Sequence, residues 1–154
     1  MWTDAQRQRL ALEHAILQSE GFTQFSVYHD SSNDTYYAAG TTNSSSNRQY
    51  RLWIGMPTGY PYTRPPMYLT EPFPIFAADG SRISALGVNH QMHTLAPSES
   101  GYVQICHWRD NRWHSDILLY KVFLKGLLWI EAYEQHLVTR RPIAEFVSTM
   151  SEKS

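Results

Sequence analysis

Apolar residues recur at helical spacing at both ends of the chain and alternate with polar ones between them. Near the start, Leu10, Ile16 and Leu17 form an apolar stripe. Thr3-Asp4-Ala5-Gln6 ahead of it reads as a capping box, with the Thr oxygen taking a free amide while Gln6 reaches back, so a helix is expected over 4–19, ended by Gly21. In residues 22–28 Phe25 and Val27 alternate with Ser26 and Tyr28, a turn-rich Asp30-Ser31-Ser32-Asn33-Asp34 follows, and 35–39 complete a hairpin. The stretch 40–47, with Thr41, Thr42, Asn43 and three serines, is too polar to pack and is expected to form a mobile hairpin loop. Residues 48–56, with Tyr50, Leu52 and Ile54 on one face, make a third strand.

The pattern then breaks. Pro57, Pro61, Pro65 and Pro66, with Tyr60 and Tyr62 among them, cannot continue a sheet, because each proline removes a donor and fixes φ. They suit a rigid crossover packed by its aromatic rings. A short fourth strand is expected at 67–70, stopped by Pro72-Phe73-Pro74. Residues 75–100 show little periodicity, and a segment of that length inside a domain implies a functional loop. The strongest helix follows, with Ile117, Leu118, Val122, Phe123, Leu127 and Ile130 at helical spacing over 117–137 and Ser115-Asp116 as its expected cap. It is expected to pack across the sheet. Pro142 opens a short last helix over 143–150.

Composition narrows the function. The 154 residues, 42% hydrophobic and 18% charged, suit one soluble domain spanning 1–154 with its own core. The net charge of −1 gives no long-range attraction to nucleic acid or an anionic membrane, so neither partner is expected. Met1-Trp2-Thr3-Asp4 lacks the basic start of a signal peptide, and Lys121, Lys125 and Glu131 interrupt the most hydrophobic segment. Cys106 is the only cysteine, which excludes an internal disulfide and a multi-cysteine metal cage and fits a reducing, cytoplasmic setting.

Cys106 ends the apolar run Tyr102, Val103, Ile105 and precedes a polar loop, 109–114. A thiol at a strand-to-loop junction is placed to react, because the thiolate is the nucleophile and it must be reached. The competing reading is a buried filler, since free cysteine is among the most buried residue types.

The order of helix, four-stranded meander, proline-rich crossover, long loop, cysteine and central helix resembles the ubiquitin-conjugating enzyme (E2) family. The resemblance rests on Tyr50-Arg51-Leu52-Trp53-Ile54 followed by Met56-Pro57, on Gly59-Tyr60-Pro61-Tyr62 through Pro65-Pro66, on Ile105-Cys106, on Trp113 seven residues beyond the cysteine, and on the helix behind it. It covers residues 4–138. It implies an α+β, UBC-like fold: an N-terminal helix, a four-stranded antiparallel meander sheet, a central helix on that sheet and a short C-terminal helix. It also implies that Cys106 takes the C-terminal carboxyl of a ubiquitin-like modifier from an E1-like activating enzyme as a thioester. Cys106 then passes it to an amine of a target protein, with no metal and no cofactor. The family's His-Pro-Asn before the cysteine is absent. Asn89-His90 and His93 stand in a longer loop instead, and the chain ends after one short final helix, as in a divergent branch such as the E2-like proteins of bacterial conjugation operons.

Asn89, His90, His93 and His107 are thus the auxiliary candidates, a histidine serving to lower the thiol pKa or to deprotonate the incoming amine. His107 points away from Cys106 if the strand continues, and His90 would equally serve to pin the loop. Two rivals stay open. His90-x-x-His93 with Cys106 and His107 supplies enough ligands for a zinc site, and an E2-variant interaction module would keep the fold without catalysis.

Overall fold

The computed structural model describes residues 1–151, so residues 152–154 of the expected domain lie outside that range. The first helix, α1 (Asp4–Ser19), opens on the expected capping box: Thr3 Oγ1 accepts from the Gln6 amide at 3.1 Å and Gln6 Oε1 accepts from the Thr3 amide at 2.9 Å. Gln6 also donates to the carbonyls of Thr58 and Tyr60, which ties the helix start to the proline-rich segment. The buried stripe is Leu10, Glu13 and Leu17, with a carboxylate in the middle of it. Gly21, at φ +84°, turns the chain out of the helix, and the Phe22 amide closes the end by donating to the Leu17 carbonyl.

Six strands form one antiparallel sheet in the order β1-β2-β3-β4-β6-β5: β1 (Phe25–Asp30), β2 (Thr35–Asn43), β3 (Gln49–Gly55), β4 (Met67–Glu71), β5 (Thr94–Leu95) and β6 (Val103–Ile105). The expected meander is β1 to β4, and two further short strands extend it to six. β1 begins at Phe25 rather than at residue 22, because the Phe22 backbone is spent on the helix end and on a bond from the Phe25 amide. The segment expected to be a mobile loop is instead strand and pinned turn. β2 runs to Asn43, Ser44, Ser46 and Tyr50 donate to the Glu134 carboxylate, and the amide and hydroxyl of Ser45 donate to Glu131.

Burial pushes the Glu134 carboxyl up, but the bonds from Tyr50, Ser46 and Ser44 with Arg48 nearby outweigh it and hold the group below its usual range. The stability this cluster contributes is therefore present above the ordinary carboxylate pKa of about 4.3 and is lost as pH falls through the depressed folded value. Glu134→Gln, which presents an amide to three donors, is expected to lower the urea midpoint at pH 7. That deficit should shrink as acidification takes the pH through the depressed folded value, where the wild-type carboxyl also loses its charge.

The inward faces of β3, β4 and β6 bury Tyr50, Leu52, Ile54, Met67, Leu69, Val103 and Ile105. Against them lies α2 (Leu119–Thr139), buried through Val122, Phe123, Gly126, Trp129 and Ile130, with α3 (Ile143–Ser151) packed on α2. Gly126 sets the approach: a Cβ there would stand 2.8 Å from Leu52 Cδ1 and 2.9 Å from Met67 Sδ. Gly126→Val is expected to cost about 1–3 kcal/mol by overpacking, read as a lowered urea midpoint. The opposite face of the sheet carries a row of neighbouring rings, Tyr28, Tyr37, Trp53 and Tyr68.

The helix α2 starts two residues later than the expected 117–137, and Ser115-Asp116 is not its cap. Leu118 is the N-cap and lends no side chain; the Leu119 amide donates to Glu13 Oε2 at 2.9 Å, so α1 caps α2 across the core. The aperiodic stretch 75–100 is held by polar groups of α2: Trp129 Nε1 donates to the Met92 carbonyl, the Tyr133 hydroxyl to the Phe76 carbonyl, and His136 Nε2 accepts from the Ala78 amide. Of the crossover tyrosines, Tyr60 is buried and Tyr62 is 81% exposed. No described helix is long and apolar enough to cross a membrane.

Candidate functional site

Cys106 is the first residue beyond β6. Its amide donates to the His93 carbonyl at 3.1 Å, continuing the β5–β6 ladder by one rung. Burial alternates through this point: Ile105 and His107 are buried, and Gln104 and Cys106 are half-buried. The thiol is therefore partly open rather than sealed in the core.

The loop that follows is fastened to the proline-rich crossover at three places. His107 Nε2 donates to the Pro65 carbonyl at 2.6 Å, Trp113 Nε1 donates to the Pro61 carbonyl at 2.9 Å, and Arg64 Nε pairs with Asp110 Oδ1 at 2.8 Å. The prolines make these carbonyls good anchors, since their fixed φ holds the acceptors in place. Trp108 and Trp113 meet edge to face at 6.2 Å, and the Lys125 ammonium, from α2, lies 3.9 Å from the centroid of the Trp108 ring. Cysteine loop, crossover and α2 thus form one braced unit.

Electrostatically the surroundings of the thiol are cationic. Burial nevertheless holds the Cys106 thiol above its ordinary value, since the downward pull of Arg64, then Arg109 and Lys125, only partly offsets it and Asp110 adds to the rise. Burial also lowers Lys125, with Cys106 countering it. His93 is held below its ordinary value by burial first, then by His90, Lys125 and Arg109. His107 is pushed down to about 4 by burial against the support of the Pro65 carbonyl, so it is a neutral ring at pH 7.

The expected auxiliary residues separate on inspection. His93 sits next to Cys106 through the main chain, in a left-handed conformation at φ +57°. His90 is exposed at the tip of the same turn, and its carbonyl accepts from the His93 amide. Asn89 exchanges backbone bonds with Thr94, and its Oδ1 caps the turn by accepting from the Met92 amide at 2.9 Å. It also lines a cavity of about 420 Å³ shared with His136 and Arg140 rather than with the thiol. His107, 3% exposed, braces the loop from inside. Among the described residues no group of three or more His, Cys, Asp or Glu side chains converges to hold a metal ion; His107 Nε2 is bonded to the Pro65 carbonyl and its Nδ1 is buried without a partner.

Sequence reasoning passed over Lys125, Arg64 and Trp108. The signal for Lys125 was a charge breaking the apolar rhythm of the central helix between Phe123 and Trp129, where a purely structural helix would place an apolar residue. No protein-family model matches the chain, and no curated protein matches it.

Proposed function

We propose that the chain is an E2-like conjugating enzyme in which Cys106 carries a ubiquitin-like modifier as a thioester. The reading rests on the element order and motifs that resemble that family. The observation that carries it is the partly open thiol at the end of β6, on a loop braced to the proline-rich crossover through His107, Trp113 and Arg64. A nucleophile that must accept and release a large acyl group needs access and a fixed position, and a filler cysteine needs neither.

Two steps follow. The Cys106 sulfur attacks the carbonyl carbon of the thioester on the E1-like enzyme; a new C–S bond forms, the old one breaks, and the E1 cysteine departs as thiolate. An amine of the target protein then attacks the same carbon, a C–N bond replaces the C–S bond, Cys106 departs as thiolate, and the surplus amine proton passes to a base or to water. The drawn transfer uses thiol, thioester and amine alone. Incubation with the E1-like enzyme, ATP and modifier, followed by gels with and without thiol reductant, tests it. A reductant-sensitive adduct on this chain is the expected result.

A further inference from the structure

His136, in the last turn of α2, is 7% exposed and has both ring nitrogens in use. Nε2 accepts from the Ala78 amide at 3.0 Å, so it carries no proton, and Nδ1 donates to the Arg141 carbonyl at 2.8 Å. That pair of bonds admits one form of the ring, the neutral Nδ1–H tautomer. A proton added at Nε2 would set one N–H against another, and the bond to Ala78 would be lost.

Ala78 stands at the tip of a tight turn, 76–82, closed by a bridge between Phe76 and Arg82 and by the Ala77 amide on the Ser81 carbonyl at 2.8 Å. These bonds are internal to the turn, so they hold its shape. Ile75 and Ile83 bury its base. Its tip is placed by three side-chain bonds from the end of α2: the Tyr133 hydroxyl donates to the Phe76 carbonyl at 2.8 Å, Arg140 Nη2 donates to the Ala78 carbonyl at 3.0 Å, and His136 takes the Ala78 amide. The His136 bond is the one that a single proton abolishes. Ala77, Ala78 and Asp79 form one wall of the cavity of about 420 Å³ that Asn89, Gln91 and Arg140 also line.

We propose that the 76–82 turn is a lid over this cavity and that His136 is its proton-operated latch, closed while the ring is neutral and released when Nε2 takes a proton. Histidine is the side chain that ordinarily changes charge between about pH 5 and pH 8. The latch needs the neutral ring, so it is complete on the alkaline side of that titration and is lost as pH falls through it. The charged and titratable groups around the ring are Asp79 on the lid, Tyr133 on α2, Arg140 and Arg141 in the linker, and Glu145 on α3, which pairs with Arg141 at 2.8 Å. Asp79 Oδ1 is bonded to the amide and hydroxyl of Ser81, and Arg140 sets a second positive charge beside a protonated ring, which favours opening. The latch does not depend on the conjugating reading.

The test needs the intact chain alone. Solvent exchange of the Ala78 amide is followed by NMR from about pH 7.5 to about pH 5, corrected for the intrinsic pH dependence of exchange, beside the ring signals of His136. Protection of Ala78 is expected to fall roughly 3–10-fold, the loss of one hydrogen bond, at the midpoint of the His136 ring, while the amides of β2 and β3 keep theirs. His136→Gln keeps an acceptor oxygen for Ala78 and cannot be charged, so its Ala78 protection should show no step. Should that variant fail to fold, the coincidence of the two wild-type midpoints decides. A ring that charges while Ala78 stays protected, a ring that stays neutral over the whole range, or a step that persists in His136→Gln would overturn the proposal. Loss of protection that runs through β2 and β3 as well would also overturn it, since the whole chain would then be unfolding.

Discussion

Glu13→Ala is expected to cost the fold about 2–4 kcal/mol, and Glu13→Gln to cost less at pH 7. Glu13 is 1% exposed, and its Oε2 accepts both from the Tyr60 hydroxyl at 2.5 Å and from the Leu119 amide at 2.9 Å. One oxygen therefore joins α1, the crossover and the start of α2. Removing it leaves a buried hydroxyl and a buried helix-end amide without an acceptor, and each unmet group carries its full desolvation penalty. Glutamine keeps an acceptor oxygen in the same place, while its amide nitrogen takes the place of Oε1, which is buried without a partner. It also removes a cost, because burial raises the Glu13 carboxyl above its ordinary value despite the bonds from Tyr60 and Leu119 and the nearby Arg9. A raised folded-state pKa means that the stability tied to the neutral form is present below about 4.3 and lost as pH rises through the folded value. Wild type should thus lose stability across that window, and Glu13→Gln should lack that part of the slope. Urea unfolding of both variants at pH 4 and pH 7 checks the sign and the size.

That network also shows where the sequence was readable. The Thr3–Gln6 capping box is an i, i+3 pair, so its geometry follows from local spacing alone. The cap of α2 comes from a residue 106 positions away, which no window along the chain contains, and Ser115-Asp116 was the only local substitute. The serines of residues 44–46 looked unpackable for the same reason: their acceptors, Glu131 and Glu134, lie 86 to 90 positions on. β5 was missed because two residues are too short to show an alternation, and the run at β6 was read as strand-like but, being only three residues long, was not counted into the expected four-stranded sheet. The long strands β2 and β3 and the helix α2 carry enough periodic positions for their type to be read, with their ends displaced by such long-range bonds.

Within the site, the half-buried Cys106 was legible because strand-to-loop position predicts access directly. The inward turn of His107 followed from β alternation. Asn89 was ranked beside the thiol as the stand-in for the absent His-Pro-Asn, yet a six-residue turn closed by Asn89 and Thr94 spends its oxygen locally. Lys125 was invisible as a site residue because pairing a helix with a loop across the fold requires three dimensions.

Replacing Cys106 should separate chemistry from fold more sharply than any other change. Cys106→Ser exchanges one sulfur for one oxygen at a half-buried position and is expected to leave unfolding within about 1 kcal/mol of wild type. Its effect on the reaction should be large. A thioester keeps the carboxyl activated toward an amine, whereas an oxygen ester transfers far more slowly, so the serine variant should accumulate a reductant-resistant ester or form no adduct. Cys106→Ala, which has no nucleophilic atom there, should form neither species while retaining its fold. Partner binding should survive in both, since the surface changes by a single atom or less.

The most direct measurement of the central claim is peptide mapping of the acylated residue after reaction of the wild-type chain with the E1-like enzyme, ATP and modifier, quenched in acid without thiols. The account predicts the modifier's C-terminal carboxyl on the Cys106 peptide, released by reductant and absent in Cys106→Ala. A modifier attached at another residue, or a conjugate of unchanged yield in Cys106→Ala, would contradict it.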